Sequence, residues 1–343
     1  MDRQSPFAVS VIICVYNGEK FLERAVQSVL IQKEVAEIIL VEDGSTDGTL
    51  ALCQRFVEER PGFIRLVQHP GGVNLGLGLS SSLGVHEARY PYVAFLGADD
   101  RYLPDRFKRD AELFAADPSL DGVYNALGAE ILEKEGEAWW SKSSRRTELT
   151  TVRNPPPPER LFFEMNPIGR RGHFSFDAAT FRRTVFFDAA TFTDLRLSQD
   201  TLLSVQLAAL CRLAGGETEK PVGMRGIHGQ NRIRSESNMV AAKEAVFKEL
   251  LAWSLRRSLP REKKRALQRL AMRLGSDPRV RRELVQIDPG IRFTRWFLLA
   301  ILRGWMKRLG ELRWLIFRRS PDDLVLPGVF PALRQRLRRR PPT

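Results

Sequence analysis

Cysteine is scarce in this 343-residue sequence, which contains only Cys14, Cys53 and Cys211. The three are odd in number, far apart and set in apolar segments, where a thiol packs as a small hydrophobic side chain. A framework of disulfides is therefore excluded, and a reducing cytosol is the simplest compartment for the chain.

Long apolar runs are lacking as well. The longest one in the C-terminal third, Trp296 to Leu302, is far shorter than the roughly 20 residues that cross a bilayer. The first six residues show no basic segment followed by an apolar one, as a secretory signal would. We therefore expect a cytoplasmic protein without a membrane span.

Acidic residues are few in the C-terminal part. Residues 241–343 contain 26 of the 54 Lys and Arg residues but 9 of the 41 Asp and Glu residues, a net charge of +17, whereas the first 240 residues carry −4. We predict a folded domain over residues 1–238, followed by a basic helical extension over 239–343.

Short apolar runs rich in β-branched residues alternate with helical spacing over the first third of the chain. This pattern is typical of an α/β fold with an open, mostly parallel sheet and helices on both faces, in which ligands bind outside the carboxyl ends of the strands. The predicted strands are Ala8–Val15, Ile38–Val41, Ile64–Val67 and Tyr92–Leu96, and the predicted helices are 21–30, 47–56, 79–88 and 105–116.

The pattern is less regular after residue 116. The four prolines within Asn154–Glu159 predict a stiff extended segment, inside a lobe over residues 140–175 that we expect to cover the site. Residues 222–231 show neither a helical nor a strand period and are predicted to be a loop. A helix is expected over 201–213, and further helices from Met239 onward.

Two acidic turns follow predicted strands. The first, Glu42–Asp47, contains Asp43, which could accept a hydrogen bond from the imide N–H of a pyrimidine base, although the turn also fits simple helix caps. The second contains Asp99 and Asp100, whose repulsion calls for a cation such as Mg²⁺ or Mn²⁺ shared with a diphosphate. The alternative is a solvated turn that caps the next helix.

Five motifs resemble, in order, those of the family 2 inverting glycosyltransferases, and the resemblance covers about residues 8–235. They are Val9–Asn17, Glu42–Asp47, Phe95–Asp100 with Leu103–Arg106, Ser198–Asp200, and Arg225-x-x-His228-x-x-Asn231.

The resemblance implies a GT-A fold, a UDP-linked or dTDP-linked sugar donor, a divalent metal and inversion at the anomeric carbon. It places Tyr16 and Asn17 in the donor site, with Tyr16 against the base and Asp43 on the base edge. It assigns Asp99 to the donor ribose, and Asp99 with Asp100 to the metal.

Three further residues are candidates for the reaction. The resemblance makes Asp200 the general base, a role that suits one carboxylate near the acceptor hydroxyl, while its spacing alone fits an N-cap. Arg225 and His228 lie three residues apart and are predicted to close over the diphosphate, with His228 as a potential metal ligand. A surface histidine is the simpler alternative.

Three departures from the family pattern weaken parts of this assignment. Gly97 stands where the family often has a further aspartate, and Gln199 stands where it often has glutamate. Ser81 and Ser82 replace a common Arg-Asn pair, so a cationic contact from that helix to the donor is in doubt.

The basic extension contains an apolar helical stripe with tryptophan, a composition typical of helices that lie on anionic membranes. Packing of the stripe on the main domain is the alternative, and nucleic-acid binding lacks any supporting motif. The stripe is Leu298, Ile301, Leu302, Trp305, Leu309, Leu312 and Ile316, and Arg334–Arg340 is a terminal basic cluster.

We therefore predict a glycosyltransferase that acts on a carbohydrate or lipid-linked glycan, peripheral on the inner face of the cytoplasmic membrane. Two alternatives remain open. A sugar nucleotidyltransferase would usually have a glycine-rich loop after the first strand, and Tyr16–Lys20 contains a single glycine. A non-catalytic scaffold with the same fold is the other, and the Gly97 departure supports it.

Overall fold

The computed structural model describes residues 7–142, 148–190, 192–195, 197–231, 236–274, 277–293, 298, 301, 302 and 304–306. Contacts divide the chain into two compact units, Met1–Ala271 and Met272–Thr343.

The described strands are β1 (Val9–Val15), β2 (Val35–Glu42), β3 (Ile64–Gln68), β4 (Tyr92–Gly97), β5 (Arg101–Tyr102), β6 (Gly122–Tyr124), β7 (Ala126–Ile131), β8 (Leu149–Thr150), β9 (Ala179–Arg182), β10 (Leu213–Gly215) and β11 (Pro221–Ile227). The described helices are α1 (Leu22–Leu30), α2 (Thr49–Glu59), α3 (Leu77–Glu87), α4 (Lys108–Ala116), α5 (Lys134–Trp140), α6 (Pro158–Glu164), α7 (Val185–Asp188), α8 (Gln199–Leu210), α9 (Glu236–Arg256), α10 (Arg261–Ala271) and α11 (Pro278–Ile287).

The main sheet has seven strands in the order β10-β6-β9-β4-β1-β2-β3. Its neighbours are parallel except β9, which runs antiparallel to both β4 and β6. β1 is apolar and almost wholly buried because helices cover both faces of the sheet. The predicted α/β class with a mostly parallel sheet is confirmed, and so are the four predicted strands.

A second sheet, ordered β5-β11-β7-β8, corrects one prediction. Residues 222–231 were expected to be a loop, but β11 occupies Pro221–Ile227 and pairs in parallel with β7. Glycine makes this strand hard to recognise. A Cβ on Gly226 would collide with the carbonyl oxygen of Asp99, so close approach of two backbones, rather than side-chain alternation, dictates the sequence here.

Two boundaries also differ from the predicted ones. The proline run does not stay extended to Glu159, because α6 begins at Pro158, where the fixed φ of proline suits the first helical position and no amide hydrogen is needed. Helix α8 begins at Gln199 and ends at Leu210 rather than covering 201–213, and β10 follows it.

Helices α9 and α10 belong to the unit Met1–Ala271, and α9 packs against α8 and α10. The predicted division of the chain at residue 238 stays a prediction. The buried side chains of α9 are Val246, Phe247, Leu250, Leu251 and Trp253.

Of the predicted apolar stripe, Leu298, Ile301, Leu302 and Trp305 are described. Leu309, Leu312, Ile316 and the cluster Arg334–Arg340 lie outside the described residues. Among the helices that the structure describes, none combines the length and apolar character needed to cross a membrane.

Candidate functional site

The carboxyl ends of three central strands meet at one edge of the main sheet. Val15 pairs with Glu42, and Cys14 pairs with Gly97, so the segments that follow β1, β2 and β4 lie side by side. Tyr16 is the first residue beyond β1, and 51% of its surface is exposed. The edge therefore presents an open aromatic ring beside both acidic turns.

Asn17 joins the end of β1 to the first acidic turn. Its backbone N–H donates to Oγ of Ser45 over 2.9 Å, and its Oδ1 accepts from the backbone N–H of Thr46 over 2.8 Å. Asn17 adopts a left-handed conformation with φ of 50°, which asparagine tolerates better than most residues. Asn17 thus fixes the turn that adjoins Tyr16.

Asp43 is buried, with 4% of its surface exposed. Its two carboxylate oxygens accept hydrogen bonds from the backbone N–H groups of Leu75 (2.8 Å) and Gly76 (2.9 Å), directly before α3. Asp47, rather than Asp43, accepts from the first turn of α2, through the N–H of Thr49. Asp43 therefore anchors the segment leading into α3, and its contact with a base stays a prediction.

Asp99 is the more accessible carboxylate of the second turn, and 36% of its side chain is exposed. Its Oδ2 lies 2.9 Å from Nε2 of His228 and 3.2 Å from Nδ2 of Asn231. Nδ1 of His228 accepts from the backbone N–H of Gln230 over 3.2 Å. A neutral imidazole that accepts at Nδ1 carries its proton on Nε2, so His228 donates to Asp99.

Asp100 has a different environment, although it is the next residue. Its carboxyl is buried, and Oδ1 accepts from the backbone N–H of Gly226 over 2.9 Å. Burial, and next the charges of Asp99 and Asp177, raise the pKa of Asp100 well above its usual range. Neither residue caps α4. Of the two predicted metal ligands, Asp99 is the one that presents an oxygen to solvent.

Arg225 projects from β11 and is a cation near the second acidic turn, where Arg24 also donates from Nη2 to the carbonyl oxygen of Asp99 over 2.6 Å. The charge of the Arg225 guanidinium acts on the buried Asp100, on Asp177 and on His173. Its side chain makes no hydrogen bond or ion pair with another residue that the structure describes. A guanidinium of this kind is available to an anionic ligand.

Asp177, a half-buried residue that precedes β9, is a member of the site that the sequence did not predict. Its Oδ1 accepts from the N–H of Gly97 over 3.0 Å, and its Oδ2 accepts from Oγ of Ser175 over 2.9 Å. Burial raises the pKa of Asp177, Arg225 opposes that rise, and the charges of Asp99 and Asp200 add to it. No local motif marks this residue, because only the pairing of β9 with β4 brings it to the site.

Asp200 is exposed in the first turn of α8. The N-cap position is occupied by Ser198, so the alternative of an N-cap role for Asp200 does not hold. Its Oδ1 accepts from the N–H of Thr201 over 2.8 Å. Asp200 lies close enough to Asp177 and His173 for its charge to act on both.

Helix α3 offers no cation at the position where the family often has arginine. Ser81 is buried, and its Oγ lies 3.6 Å from Sγ of Cys14. Burial raises the pKa of the Cys14 thiol to about 12, so this contact is neutral at physiological pH. A cation at this edge must therefore come from an element other than α3, and Arg225 of β11 is one candidate.

The comparisons with known proteins agree with this geometry. The family described as glycosyl transferase family 2 matches residues 10–186. A relative is the succinoglycan biosynthesis protein ExoO of Rhizobium meliloti (strain 1021), 29% identical over 203 residues, which are 57% of this chain and 54% of that protein. Another is the uncharacterized glycosyltransferase YibD of Escherichia coli (strain K12), 30% identical over 149 residues, or 43% of this chain and 42% of that protein.

The alignments cover between 32% and 54% of the lengths of four such relatives. Among solved structures, S. aureus TarS 1-349 in complex with UDP is similar with a TM-score of 0.56 and 16% identity, over 87% of this chain and 88% of that one. That similarity shows a GT-A fold. With more than half of the chain matched, the protein belongs to glycosyl transferase family 2.

Proposed function

We propose that this protein transfers one sugar from a UDP-linked or dTDP-linked donor to a hydroxyl group of a glycan or lipid-linked glycan, with inversion at the anomeric carbon. One observation carries the proposal. The accessible carboxylate of Asp99 and the guanidinium of Arg225, which has no hydrogen-bond or ion-pair partner among the described residues, lie near the sheet edge that also holds the exposed Tyr16. This is the edge at which α/β sheets bind ligands.

The donor nucleotide would lie along the first acidic turn. Tyr16 would stack on the base, with Asn17 holding the loop that carries it. Asp43 would accept from the base edge through lone pairs that the two backbone amides leave free, since each carboxylate oxygen can accept more than one hydrogen bond. Arg225 would pair with the diphosphate through its planar guanidinium.

A divalent cation, Mg²⁺ or Mn²⁺, fits the site when it is shared with the donor. Among the described residues, no three His, Cys, Asp or Glu side chains surround a common position. Asp99 would be the protein's ligand, because its Oδ1 accepts no hydrogen bond from a described residue, and phosphate oxygens complete such sites. The cation would neutralise charge on the departing diphosphate.

Asp200 would act as the general base. In this reaction the acceptor oxygen bonds to the anomeric carbon as the bond to the nucleoside diphosphate breaks, and the hydroxyl proton passes to Asp200. The role requires an accessible carboxylate on the acceptor side, and Asp200 is exposed at the start of α8.

A lipid-linked acceptor would give the basic extension a function at an anionic membrane. The support is the charge of +17 over residues 241–343, together with Leu298, Leu302 and Trp305, each more than half exposed. We expect sedimentation of the protein with anionic liposomes to be lost when residues 290–343 are deleted. Unchanged sedimentation would contradict this part of the proposal.

Thermal unfolding with UDP, dTDP and GDP, each with and without Mn²⁺, tests the proposal as a whole. A nucleotide at 100 times its Kd contributes about 2.7 kcal/mol, and we expect a rise in Tm of about 5 °C with one nucleotide, larger when Mn²⁺ is present. Arg225→Ala should abolish the rise. No shift with any nucleotide would instead favour the non-catalytic scaffold.

A further inference from the structure

Asp177 lies beside Gly97, on the segment that leads into the neighbouring strand β9. Gly97 stands at the position where the family often has aspartate. We propose that Asp177 is a positioning residue of the donor site. It would hold the Gly97–Asp100 turn from the neighbouring strand and place beside Asp99 the negative charge that Gly97 cannot carry. This inference rests on the metal-assisted donor binding proposed above.

The register of two strands brings Asp177 to this place. β4 and β9 pair in antiparallel fashion, with Ala94 opposite Thr180. Continuing that register by three residues puts Asp177 opposite Gly97, and the hydrogen bond from the Gly97 N–H to Oδ1 joins the two. A side chain at position 177 is therefore the cross-strand neighbour of the missing side chain at position 97.

Packing explains why the carboxylate comes from across the sheet. A Cβ at position 97 would lie 2.8 Å from Oδ2 of Asp100 and 3.0 Å from Oδ1 of Asp99. Both distances are shorter than ordinary contacts, so a side chain at position 97 would require the carboxylates of Asp99 and Asp100 to move. Glycine at position 97 leaves both carboxylates undisturbed, and its backbone N–H donates a hydrogen bond to Asp177.

The orientation of the Asp177 carboxylate is fixed by two neutral donors, the Gly97 N–H and the Ser175 hydroxyl. Arg225 acts on this carboxylate through its charge and without a hydrogen bond among the described residues, and the charge of Asp177 acts in turn on Asp100. The arrangement therefore adds negative potential next to Asp99, where a divalent cation would be attracted. A purely structural hydrogen bond would not require a charged group.

Two substitutions separate the charge from the hydrogen bonds. Asp177→Asn keeps an oxygen for the Gly97 N–H, and its amide can donate to Ser175, but the charge is lost. Asp177→Ala removes both. Asp188→Asn, in the exposed part of α7, is the matched control. We would measure the Kd of Mn²⁺ in the presence of UDP by the loss of the free-ion paramagnetic resonance signal, and hydrogen exchange of the Gly97 amide by NMR.

For Asp177→Asn we expect Gly97 amide protection like that of the wild type, with Mn²⁺ affinity reduced about tenfold, as for other residues that support a metal ligand. Asp177→Ala should lose both the protection of the Gly97 amide and the Mn²⁺ affinity, and Asp188→Asn should retain both. Wild-type Mn²⁺ affinity in Asp177→Asn would overturn the inference. If the wild-type protein binds no Mn²⁺ in the presence of UDP, the metal part of the proposed function fails, and the charge role of Asp177 fails with it. If the wild type binds Mn²⁺ and Asp177→Asn binds it equally well, only the inference about Asp177 fails.

Discussion

Nε2 of His228 donates a hydrogen bond to Oδ2 of Asp99 over 2.9 Å, and this leaves Oδ1 of Asp99 as the oxygen available to a ligand. The imidazole is held in this orientation by the Gln230 N–H at Nδ1 and by the Phe21 ring, whose centroid is 4.4 Å away. His228 therefore orients a carboxylate, and in this tautomer its Nε2 has no lone pair for a metal.

This pairing predicts different effects for two substitutions of His228. His228→Ala leaves Asp99 unoriented, and we expect Mn²⁺ affinity measured with UDP to fall about 10- to 100-fold. His228→Gln retains an N–H donor near the position of Nε2, and its Mn²⁺ affinity should fall only a few-fold. If both variants lost the same affinity, His228 would not act as a donor to Asp99.

Asp200→Asn should abolish transfer while leaving donor binding intact. Loss of a general base reduces kcat by about 10²- to 10⁴-fold, whereas the thermal shift with nucleotide and Mn²⁺ should match that of the wild type. Asp188→Asn provides the control for removing one exposed carboxylate. Undiminished transferase activity in Asp200→Asn would show that the base is another residue.

Gly226→Ala tests the close approach of β11 to the second acidic turn. The added Cβ would collide with the Asp99 carbonyl oxygen, so β11 must shift, at a cost of about 1–3 kcal/mol. We expect a lower urea midpoint and weaker nucleotide binding. Gly229→Ala is the matched control from the same segment, since its Cβ would meet only the Glu133 and Glu135 side chains, at 3.2 Å or more.

Asp110→Ala should destabilise the fold without touching the site. Asp110 is fully buried, bonds Nη1 of Arg106 over 2.8 Å, and also accepts from Thr180 and Asn125. Removing it leaves a buried, uncompensated guanidinium, and we expect a loss of about 3–5 kcal/mol in the free energy of unfolding by urea. Glu112→Ala in the same helix breaks an exposed pair and should cost under about 1 kcal/mol.

The buried thiol of Cys53 should make the protein less stable at alkaline pH. Burial, and next the charges of Glu42 and Asp47, raise the pKa of its thiol to about 12. The folded chain keeps this proton when the unfolded chain has lost it, so stability is complete below about pH 8.5 and falls as pH rises towards 12.

Cys53→Ala removes this dependence at the expense of a small cavity. We expect the free energy of unfolding to decline with pH less steeply in the variant, by up to about 1.4 kcal/mol per pH unit. Urea titrations between pH 8 and 10.5 would measure both slopes. Equal slopes would show that the Cys53 thiol titrates normally in the folded protein.

The local sequence pattern was sufficient to predict the first four strands of the main sheet. β1, β2, β3 and β4 are short, mainly apolar segments separated by helical spacing, so each strand could be recognised in isolation. The acidic turns containing Asp43 and Asp99 follow the carboxyl ends of β2 and β4. These parts of the site depend on residues close together in sequence.

The other parts of the fold and of the site depend on contacts between segments that are far apart in sequence. β11 has a glycine at position 226 where it passes close to Asp99, and that glycine interrupts the side-chain period by which a strand is recognised. The distinction between Asp99 and Asp100 arises from their partners His228 and Gly226, more than a hundred residues away. Asp177 reaches the site only through the register of β9.

The antiparallel strand β9 also determines when the main sheet can be completed during synthesis of the chain. Until Ala179–Arg182 has left the ribosome, β4 is an edge strand with its outer amides and carbonyls unpaired, although β1, β2 and β3 can already assemble. Exposed edges of this kind are templates for association between nascent chains. Stalled or truncated chains that end before β9 should therefore be the aggregation-prone forms of this protein, and chains that include it should be protected.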